Sequence, residues 1–340
     1  MQAATDQKLN IRILKIDSPV RSQRNWQIES FCLKIFEYTD YSLRRALAGE
    51  LNELQCSFFI AESKGDILVV AGCLYSMSKP SVAILGPVCT DPQYRKNGLA
   101  FELCGMLLEQ LRAQKIGSVY LGVKDNIPAV KLYKKLGFLE HSGIVMRKLF
   151  ISKDEFDNRY LSGQQTIIRQ LQWSDFPEIS VLLCEPAYMF SFDFCQQIFS
   201  AKYVEIPKFL PVFPTLMSCI EKHGGIGAVL QTKENKSIVG TAFLKMPPSK
   251  LQDHIAILEF FILDGFVDNG EDLVRQTIKQ SGLEGCRTIL CYCPECDIYK
   301  KQILLSLGAQ EYAVLPSFVR INDNYQKIIV FTLKGSKLRD

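Results

Sequence analysis

The stretch that decides the fold is Arg95-Lys96-Asn97-Gly98-Leu99-Ala100-Phe101, which follows an apolar run at Val82–Thr90. The apolar run predicts a buried strand, and after the glycine the apolar residues recur at helical spacing. The glycine and the two basic residues therefore lie where a strand turns into a helix. The first amide groups of a helix have no partner within it and carry the positive end of its dipole, so this turn suits a phosphate group. Taken alone the pattern is short, and an ordinary surface turn also explains it.

A second segment has a matching layout. Residues 119–123 predict a strand, and residues 129–136 predict a helix with its apolar side chains on one face. Pro128 suits the first turn of that helix, and Gly137 suits the position just after its end. The chain therefore presents two strand-to-helix turns in succession.

Together the two segments resemble a known family. The residues R-K-N-G-L-A, followed at the expected spacing by N-I-P-A-V-K-L-Y-K-K-L-G-F, resemble the paired signature of the GNAT N-acetyltransferases. The resemblance covers roughly residues 10–150. It implies an α+β fold, a central mixed but mostly antiparallel sheet flanked by helices. It also implies acetyl-CoA as cosubstrate without a metal, and direct attack by an acceptor amine in a ternary complex.

The resemblance assigns roles to individual residues. Tyr133 matches the tyrosine that protonates the departing thiolate, although its place on an amphipathic helix also suits a core aromatic residue. Asn126 matches the asparagine that contacts the cofactor arm. The strand backbone at 88–90 would bond the pantetheine arm, and the loop and helix start would hold the pyrophosphate. The implied cofactor-binding residues are Val88, Cys89, Thr90, Arg95, Lys96, Asn97, Gly98, Leu99, Ala100, Phe101 and Asn126.

The sequence departs from the family pattern in one respect. Several family members place a glutamate base on the strand before the glycine loop, but residues 81–90 contain no acidic residue. We therefore assign no general base. Cys89 on this strand could carry an acyl group, but a small buried residue is the favoured interpretation because no histidine is near it in sequence. The missing glutamate leaves open a protein of another class, a catalytically silent regulator or scaffold that binds coenzyme A.

Length and order of elements predict two domains. The chain has 340 residues, about twice the usual ~150 per domain. The predicted elements restart at Thr166 after a polar stretch, which indicates an internal duplication. We expect a catalytic GNAT domain at 1–150, a linker at 151–165 and a degenerate GNAT-like domain at 166–340.

The second copy lacks the residues that would bind the cofactor. Its Asn269-Gly270 repeats Asn97-Gly98, and 38 positions separate Gly270 from Gly308 against 39 between Gly98 and Gly137. Carboxylates follow this glycine, and they would repel a pyrophosphate. Asp297 and Leu304 stand where Asn126 and Tyr133 would be. We therefore expect the second domain to keep the fold without binding coenzyme A, as structural support or as one wall of an acceptor cleft.

Composition excludes several other classes. The net charge of +4 is too small to indicate a nucleic-acid or membrane partner, and no segment approaches the ~20 apolar residues that span a bilayer. The N-terminus is polar, so we expect a cytoplasmic protein with reduced thiols. A zinc site remains an alternative for part of the twelve cysteines, but the spacing of Cys286, Cys291, Cys293 and Cys296 is irregular and favours buried thiols. A small-molecule amine is the favoured acceptor, with a protein amine as the alternative; oligomeric state cannot be read from the sequence.

Overall fold

The helices and strands of the computed structural model follow one order that repeats along the chain. The structure describes residues 10–37, 41–79, 81–123, 127–163, 165–185, 187, 189–199, 209–247, 250–281, 288–321 and 324–334. The first half contains β1 (Arg12–Asp17), α1 (Ser22–Phe36), α2 (Tyr41–Ala48), β2 (Leu54–Ser63), β3 (Asp66–Ser76), β4 (Val82–Thr90), α3 (Leu99–Ala113), β5 (Ser118–Gly122), α4 (Ile127–Lys135), β6 (Leu139–Ser142) and β7 (Val145–Leu149).

The second half repeats this order with one added hairpin. After α5 (Lys153–Tyr160) come β8 (Thr166–Gln170), α6 (Phe176–Leu182), β9 (Ser191–Asp193), β10 (Ile198–Phe199), α7 (Phe209–His223), β11 (Ile226–Thr232), β12 (Ile238–Lys245), β13 (Ile255–Ile262), α8 (Gly270–Gln280), β14 (Thr288–Pro294), α9 (Ile298–Ser306), β15 (Gln310–Ile321) and β16 (Asn324–Lys334). The hairpin β9–β10 forms a small sheet of its own.

The two large sheets share one topology. The first has seven strands in the order β1-β2-β3-β4-β5-β7-β6, and the second has seven in the order β8-β11-β12-β13-β14-β16-β15. In each sheet one neighbouring pair is parallel, β4 with β5 and β13 with β14, and the other pairs are antiparallel. The predicted fold class, two tandem mixed sheets flanked by helices, is confirmed.

Helices cover both faces of the first sheet. Alternate side chains of β3 point to opposite faces, as in any strand. Val69 and Ala71 pack in the core that includes Leu103 and Leu107 of α3, whereas Val70 packs in the core that includes Ile28 of α1. The face with α1 is the one that meets the second half of the chain.

That meeting produces a core shared by both halves. The short helix α6 contacts β3 and β4 of the first sheet and also β12 of the second. Its Phe176 and Ile179 belong to a single apolar cluster that contains Val70 of the first sheet and Phe243 of the second. Because such buried area is the main stabilising contribution to folding, we expect the two halves to unfold together.

The region predicted to be a linker is not simply an extended connection. It contains helix α5, which begins at the Ser152 cap, whose hydroxyl accepts a hydrogen bond from the Glu155 amide at 3.1 Å. Phe156 and Tyr160 are buried and stack with ring centroids 4.5 Å apart. Two apolar residues four apart in a polar segment are a weak sequence signal, and tertiary packing supplies the rest.

Across the part of the chain that the structure describes, no helix combines the length and the apolar character needed to cross a membrane.

Candidate functional site

A gap opens in the first sheet between its two parallel strands. β4 pairs with β5 only through Val82, Ala83 and Ile84. Beyond this point β4 runs on to Thr90, paired on its other side with β3. The register shifts between Ala71 and Cys73 of β3, opposite Gly86 and Pro87, so β4 is bulged where it leaves β5.

The backbone of β4 presents polar groups to this gap. The Asp91 amide donates to the Leu68 carbonyl at 2.9 Å, so Asp91 faces β3. Successive residues of a strand direct their amide and carbonyl groups to opposite sides, so Cys89 also faces β3 while Val88 and Thr90 face the gap. Of the three strand residues predicted to bond a cofactor arm, two therefore present their backbone to the gap.

Hydrogen bonds and an ion pair hold the loop between β4 and α3 in place. Asp91 caps the short 3-10 helix Pro92–Tyr94 by accepting a hydrogen bond from the Gln93 amide at 3.1 Å. Lys34 of α1 lies 3.0 Å from the same carboxylate, and these two contacts lower the pKa of Asp91. The Arg95 side chain turns back to donate to the Thr90 carbonyl at 3.4 Å. The loop that carries the basic residues is thus tied to the end of the strand.

The loop exposes the N-terminus of α3. Residues 95–98 are all exposed, and Lys96 and Gly98 have φ values of 68° and 80°. The first intrahelical bond runs from the Glu102 amide to the Gly98 carbonyl at 3.1 Å. The amides of Leu99, Ala100 and Phe101 therefore have no partner inside the helix. A Cβ built on Gly98 would meet no atom within 4 Å, so the space over the turn is open.

Tyr133, the predicted proton donor, lies on α4 and faces the sheet. It is buried, and its ring packs edge-on to Phe138 with centroids 5.9 Å apart. Burial raises the pKa of its hydroxyl, and the nearby thiols of Cys104 and Cys89 raise it further. The hydroxyl therefore holds its proton at neutral pH. Tyr133 thus lies near Cys89 of β4, and its role as proton donor stays a prediction. Asn126 lies outside the described residues.

Cys89 has the surroundings of a buried thiol. It is 4% exposed, and its sulfur lies 3.9 Å from that of Cys32 on α1. The contact with Cys32 and the loss of solvent both raise the pKa of Cys89. Because the thiolate is the nucleophilic form, this environment suppresses the acyl-relay chemistry considered as an alternative.

An open cavity of about 540 Å³ adjoins the end of β4 on the α1 side. Trp26, Phe31 and Tyr94 contribute aromatic walls, and Asp66 and Asp91 contribute carboxylates. Trp26 is 64% exposed, which is unusual for so large an apolar side chain. Lys34, which is paired with Asp91, also lines the cavity, so the cavity combines apolar surface with one ion pair and the exposed carboxylate of Asp66.

A buried polar network, which the sequence does not predict, lies at the point where β4 and β5 separate. Tyr120, opposite Ile84 in the last paired position, donates to Glu185 from the second half of the chain at 2.8 Å. His141 lies 3.1 Å and Arg147 lies 3.7 Å from the same carboxylate oxygen. Burial raises the pKa of the Tyr120 hydroxyl, and the negative charge of Glu185 raises it further. Glu185 and Tyr120 are 65 residues apart, and neither carries a local motif that would link them.

The second half has an equivalent strand-to-helix turn at Gly270, but packed side chains fill the space over it. Gly270 has φ −66° and begins α8 directly, and a Cβ on it would lie 2.3 Å from Cδ1 of Ile303. Its glycine therefore permits close packing of α8 on α9, whereas Gly98 stands over open space. Leu304, at the position equivalent to Tyr133, is buried and apolar.

The cysteines considered as an alternative zinc site differ in their exposure to solvent. Cys291 and Cys293 are buried, Cys296 is exposed, and Cys286 is outside the described residues. Within the described ranges the group whose ligand atoms lie within 4.8 Å of one another is Asp193, Cys195 and Glu259. Ammonium groups already neutralise both carboxylates, since Lys245 and Lys300 lie 2.5 Å and 3.3 Å from them.

Comparison with known proteins identifies the first half. Residues 21–138 match the model of the acetyltransferase (GNAT) family. The matched region, about a third of the chain, runs from α1 to the end of α4 and contains the gap, the basic loop and Tyr133. Residues 21–138 therefore form a GNAT-family region of the chain.

Other comparisons add only similarity. No curated protein matches the chain. Among solved structures, an N-acetyltransferase from Staphylococcus aureus Mu50 is similar at 13% identity and TM-score 0.42, covering 51% of this chain and 99% of its own. A GNAT-family acetyltransferase from Streptococcus pneumoniae is similar at 13% identity and TM-score 0.41, covering 50% and 99%. An acetyltransferase from Salmonella typhimurium with acetyl-CoA is similar at 11% identity and TM-score 0.42, covering 50% and 94%. Likenesses of this size carry no argument about activity.

Proposed function

We propose that the protein is an acetyl-CoA-dependent N-acetyltransferase that transfers the acetyl group to an acceptor amine by direct attack in a ternary complex. The observation that carries the proposal is the open gap beside β4, which ends at the exposed start of α3 within the region that matches the GNAT family. The pantetheine arm would lie along the gap-facing backbone of Val88 and Thr90. The pyrophosphate would lie against the amides of 99–101, beside Arg95 and Lys96.

The residues supply most of what the reaction needs. The acceptor nitrogen attacks the thioester carbonyl carbon, the nitrogen–carbon bond forms and the carbon–sulfur bond breaks. In this proposal Tyr133 gives its proton to the departing sulfur, and the proposal is supported by a hydroxyl near β4 that stays protonated at neutral pH. The amine must lose a proton before or during attack, and we assign no side chain to that step.

We also propose that the catalytic domain comprises 1–150 and that 166–340 forms a second domain without a catalytic role. The turn at Gly98 in the first domain is exposed and basic, whereas the turn at Gly270 is packed, and this difference supports a catalytic role for the first domain alone. Helix α5 lies between the two.

The acceptor is a small-molecule amine in this proposal. The cavity beside α1 offers aromatic walls for an apolar body and the exposed carboxylate of Asp66 for a cation. Lys34 lies 3.0 Å from Asp91 and neutralises that carboxylate, whereas Asp66 lies at the β2–β3 turn and is exposed, so Asp66 is the carboxylate that would meet the cation.

The experiment measures acetyl transfer from acetyl-CoA to a panel of amines, detected by the release of the coenzyme A thiol, with the wild type and with Tyr133→Phe. We expect turnover with the wild type and a fall of about 10²–10⁴-fold in kcat with unchanged affinity for acetyl-CoA in the variant. Leu132→Met, a conservative change on the same helix, serves as control. Binding of acetyl-CoA with no turnover on any amine would instead support the silent coenzyme A-binding protein.

An Asp66→Asn variant tests the acceptor assignment. We expect KM for a cationic acceptor to rise while KM for acetyl-CoA stays the same. Equal effects on both substrates, or on neither, would contradict the placement of the acceptor in this cavity.

A further inference from the structure

The second sheet also has a gap between its parallel strands. β13 pairs with β14 only through Ile255, Ala256 and Ile257. The Leu263 amide donates to the Val239 carbonyl of β12 at 2.9 Å, so the residue before it, Ile262, directs its amide away from β12 and toward the gap. This edge is equivalent to the gap-facing edge of β4 in the first sheet.

A segment of the same chain lies against this edge. The Met189 sulfur accepts a hydrogen bond from the Ile262 amide at 3.3 Å. Farther along, the Phe194 amide donates to the Glu259 carboxylate of β13 at 3.0 Å, and the Phe194 ring stacks on Tyr292 of β14 at 5.4 Å. Residues 189–194 therefore touch both strands that border the gap.

The start of α9 holds the same segment from the other side. Asp297 stands at the N-cap position of α9, yet its side chain does not cap that helix. Its two oxygens accept hydrogen bonds from the amides of Phe190 and Ser191. Lys300, one turn into α9, donates to the Ser191 carbonyl at 3.3 Å and to its hydroxyl at 3.1 Å.

Loss of these contacts would destabilise the fold because the charged groups that make them are fully buried. Lys300 and Glu259 are both 0% exposed and lie 3.3 Å apart. An unpaired charge at such depth costs several kcal/mol, roughly 3–5 when one partner is removed. The polar side chains of the gap are therefore committed to the segment and to each other.

We infer that the second gap is a binding site for the chain's own residues 189–194, which occupy the place that a coenzyme A arm would take in a GNAT domain. Asp297, at the position equivalent to Asn126, bonds peptide amides of this segment. On the proposed function, each chain then has a single site for coenzyme A, in its first domain. The occupancy of the second gap does not depend on whether the first domain catalyses acetyl transfer.

Hydrogen exchange of the full-length wild type, read at single amides, tests the inference. We expect slow exchange at Phe190, Phe194 and Ile262, unchanged when acetyl-CoA is added. Exchange at these amides as fast as in an unstructured peptide would overturn it. So would loss of their protection on adding acetyl-CoA, because that would mean displacement of the segment.

Matched variants on α9 locate the effect. Lys300→Met is expected to speed exchange at Ser191 and Phe194 at least tenfold, whereas Lys301→Met is expected to leave both unchanged, because Lys301 is bonded to Glu311 at the surface, 2.9 Å away. Equal effects of the two changes would contradict the inference. If Lys300→Met does not fold, the wild-type exchange data and the stoichiometry decide.

Calorimetric titration of the wild type with acetyl-CoA gives that stoichiometry. We expect one molecule per chain, and two would overturn the inference. No binding at all would refute the proposed function of the first domain while leaving the second gap occupied as described, so the two failures are distinguishable.

Discussion

Alanine at Gly98 should weaken cofactor binding and alanine at Gly270 should not, although the two glycines occupy equivalent places in the two copies. Gly98 has φ 80°, where an alanine costs about 1–2 kcal/mol relative to its usual conformation. The space around it is open, so no clash adds to this cost. If the loop relaxes to a negative φ, the amides of 99–101 move, and the same 1–2 kcal/mol appears as a loss of about 5–30-fold in affinity for acetyl-CoA.

Gly270 has helical φ and ψ of −66° and −40°, so alanine there costs no backbone strain. Its Cβ would lie 2.3 Å from Cδ1 of Ile303 and 3.0 Å from Cδ1 of Ile262. Overpacking costs about 1–3 kcal/mol, less when the ends of flexible side chains can shift, and the better helix propensity of alanine returns about 1 kcal/mol. We therefore expect a modest loss of stability and an unchanged affinity for acetyl-CoA.

The assay is calorimetric titration of both variants and the wild type with acetyl-CoA, with equilibrium urea unfolding of the same samples. Binding of acetyl-CoA by Gly98→Ala as tight as that of the wild type would refute the role of the first turn. Equal weakening by Gly270→Ala and Gly98→Ala at equal stability would also refute it, because the second turn would then be part of a cofactor site.

Two further predictions concern buried carboxylates. Glu185→Ala removes the acceptor of the Tyr120 hydroxyl inside the contact between the two halves, so urea unfolding should show a loss of about 3–5 kcal/mol in the free energy of unfolding. The control Glu155→Ala, in an exposed ion pair on α5, should change this free energy by less than about 1 kcal/mol. Similar small losses for both variants would contradict the importance of the network. Burial raises the pKa of Glu259 from 4.5 to about 7, so the folded state binds this proton more tightly than the unfolded state. Its contribution to stability is thus full below pH 4.5, falls between 4.5 and 7, and is lost above 7, by about 3 kcal/mol in all. The difference in unfolding free energy between the wild type and Glu259→Gln should follow that pH range, and a flat difference from pH 4 to 8 would refute it.

Local sequence signals predict the parts of the fold that local physics dictates. The strand at Val82–Thr90 and the helix start at Leu99 lie where periodicity and the glycine turn place them. Gly137, with φ 85°, follows the end of α4 as a glycine C′ residue should. The duplication is also readable, because the two copies keep nearly the same spacing between their turns.

Contacts between distant segments are not readable in this way. Glu185 meets Tyr120 only because α6 packs against the first sheet, and no local pattern marks either residue. The polar composition of 151–165 predicts a linker, and helix α5 within it is not readable because its two buried aromatic residues are too few to give a helical stripe. Whether Asn126 meets a cofactor arm stays a prediction, since the residue lies outside those the structure describes.

If the second gap holds no cofactor, as we infer, the polar groups along its strand edge need other partners. The splayed strand leaves backbone amides and carbonyls at an internal edge, and such groups are costly when buried without partners. On the proposed function, a cofactor arm meets this requirement in the first domain, where the turn at Gly98 remains open. In the second domain the edge amide of Ile262 and the carboxylate of Asp297 are bonded to residues 189–191 instead. The extra segment between β8 and β11 therefore has a physical reason, because the gap would otherwise bury unpaired polar groups. Deletion of 189–194 should destabilise the chain rather than restore a second coenzyme A site.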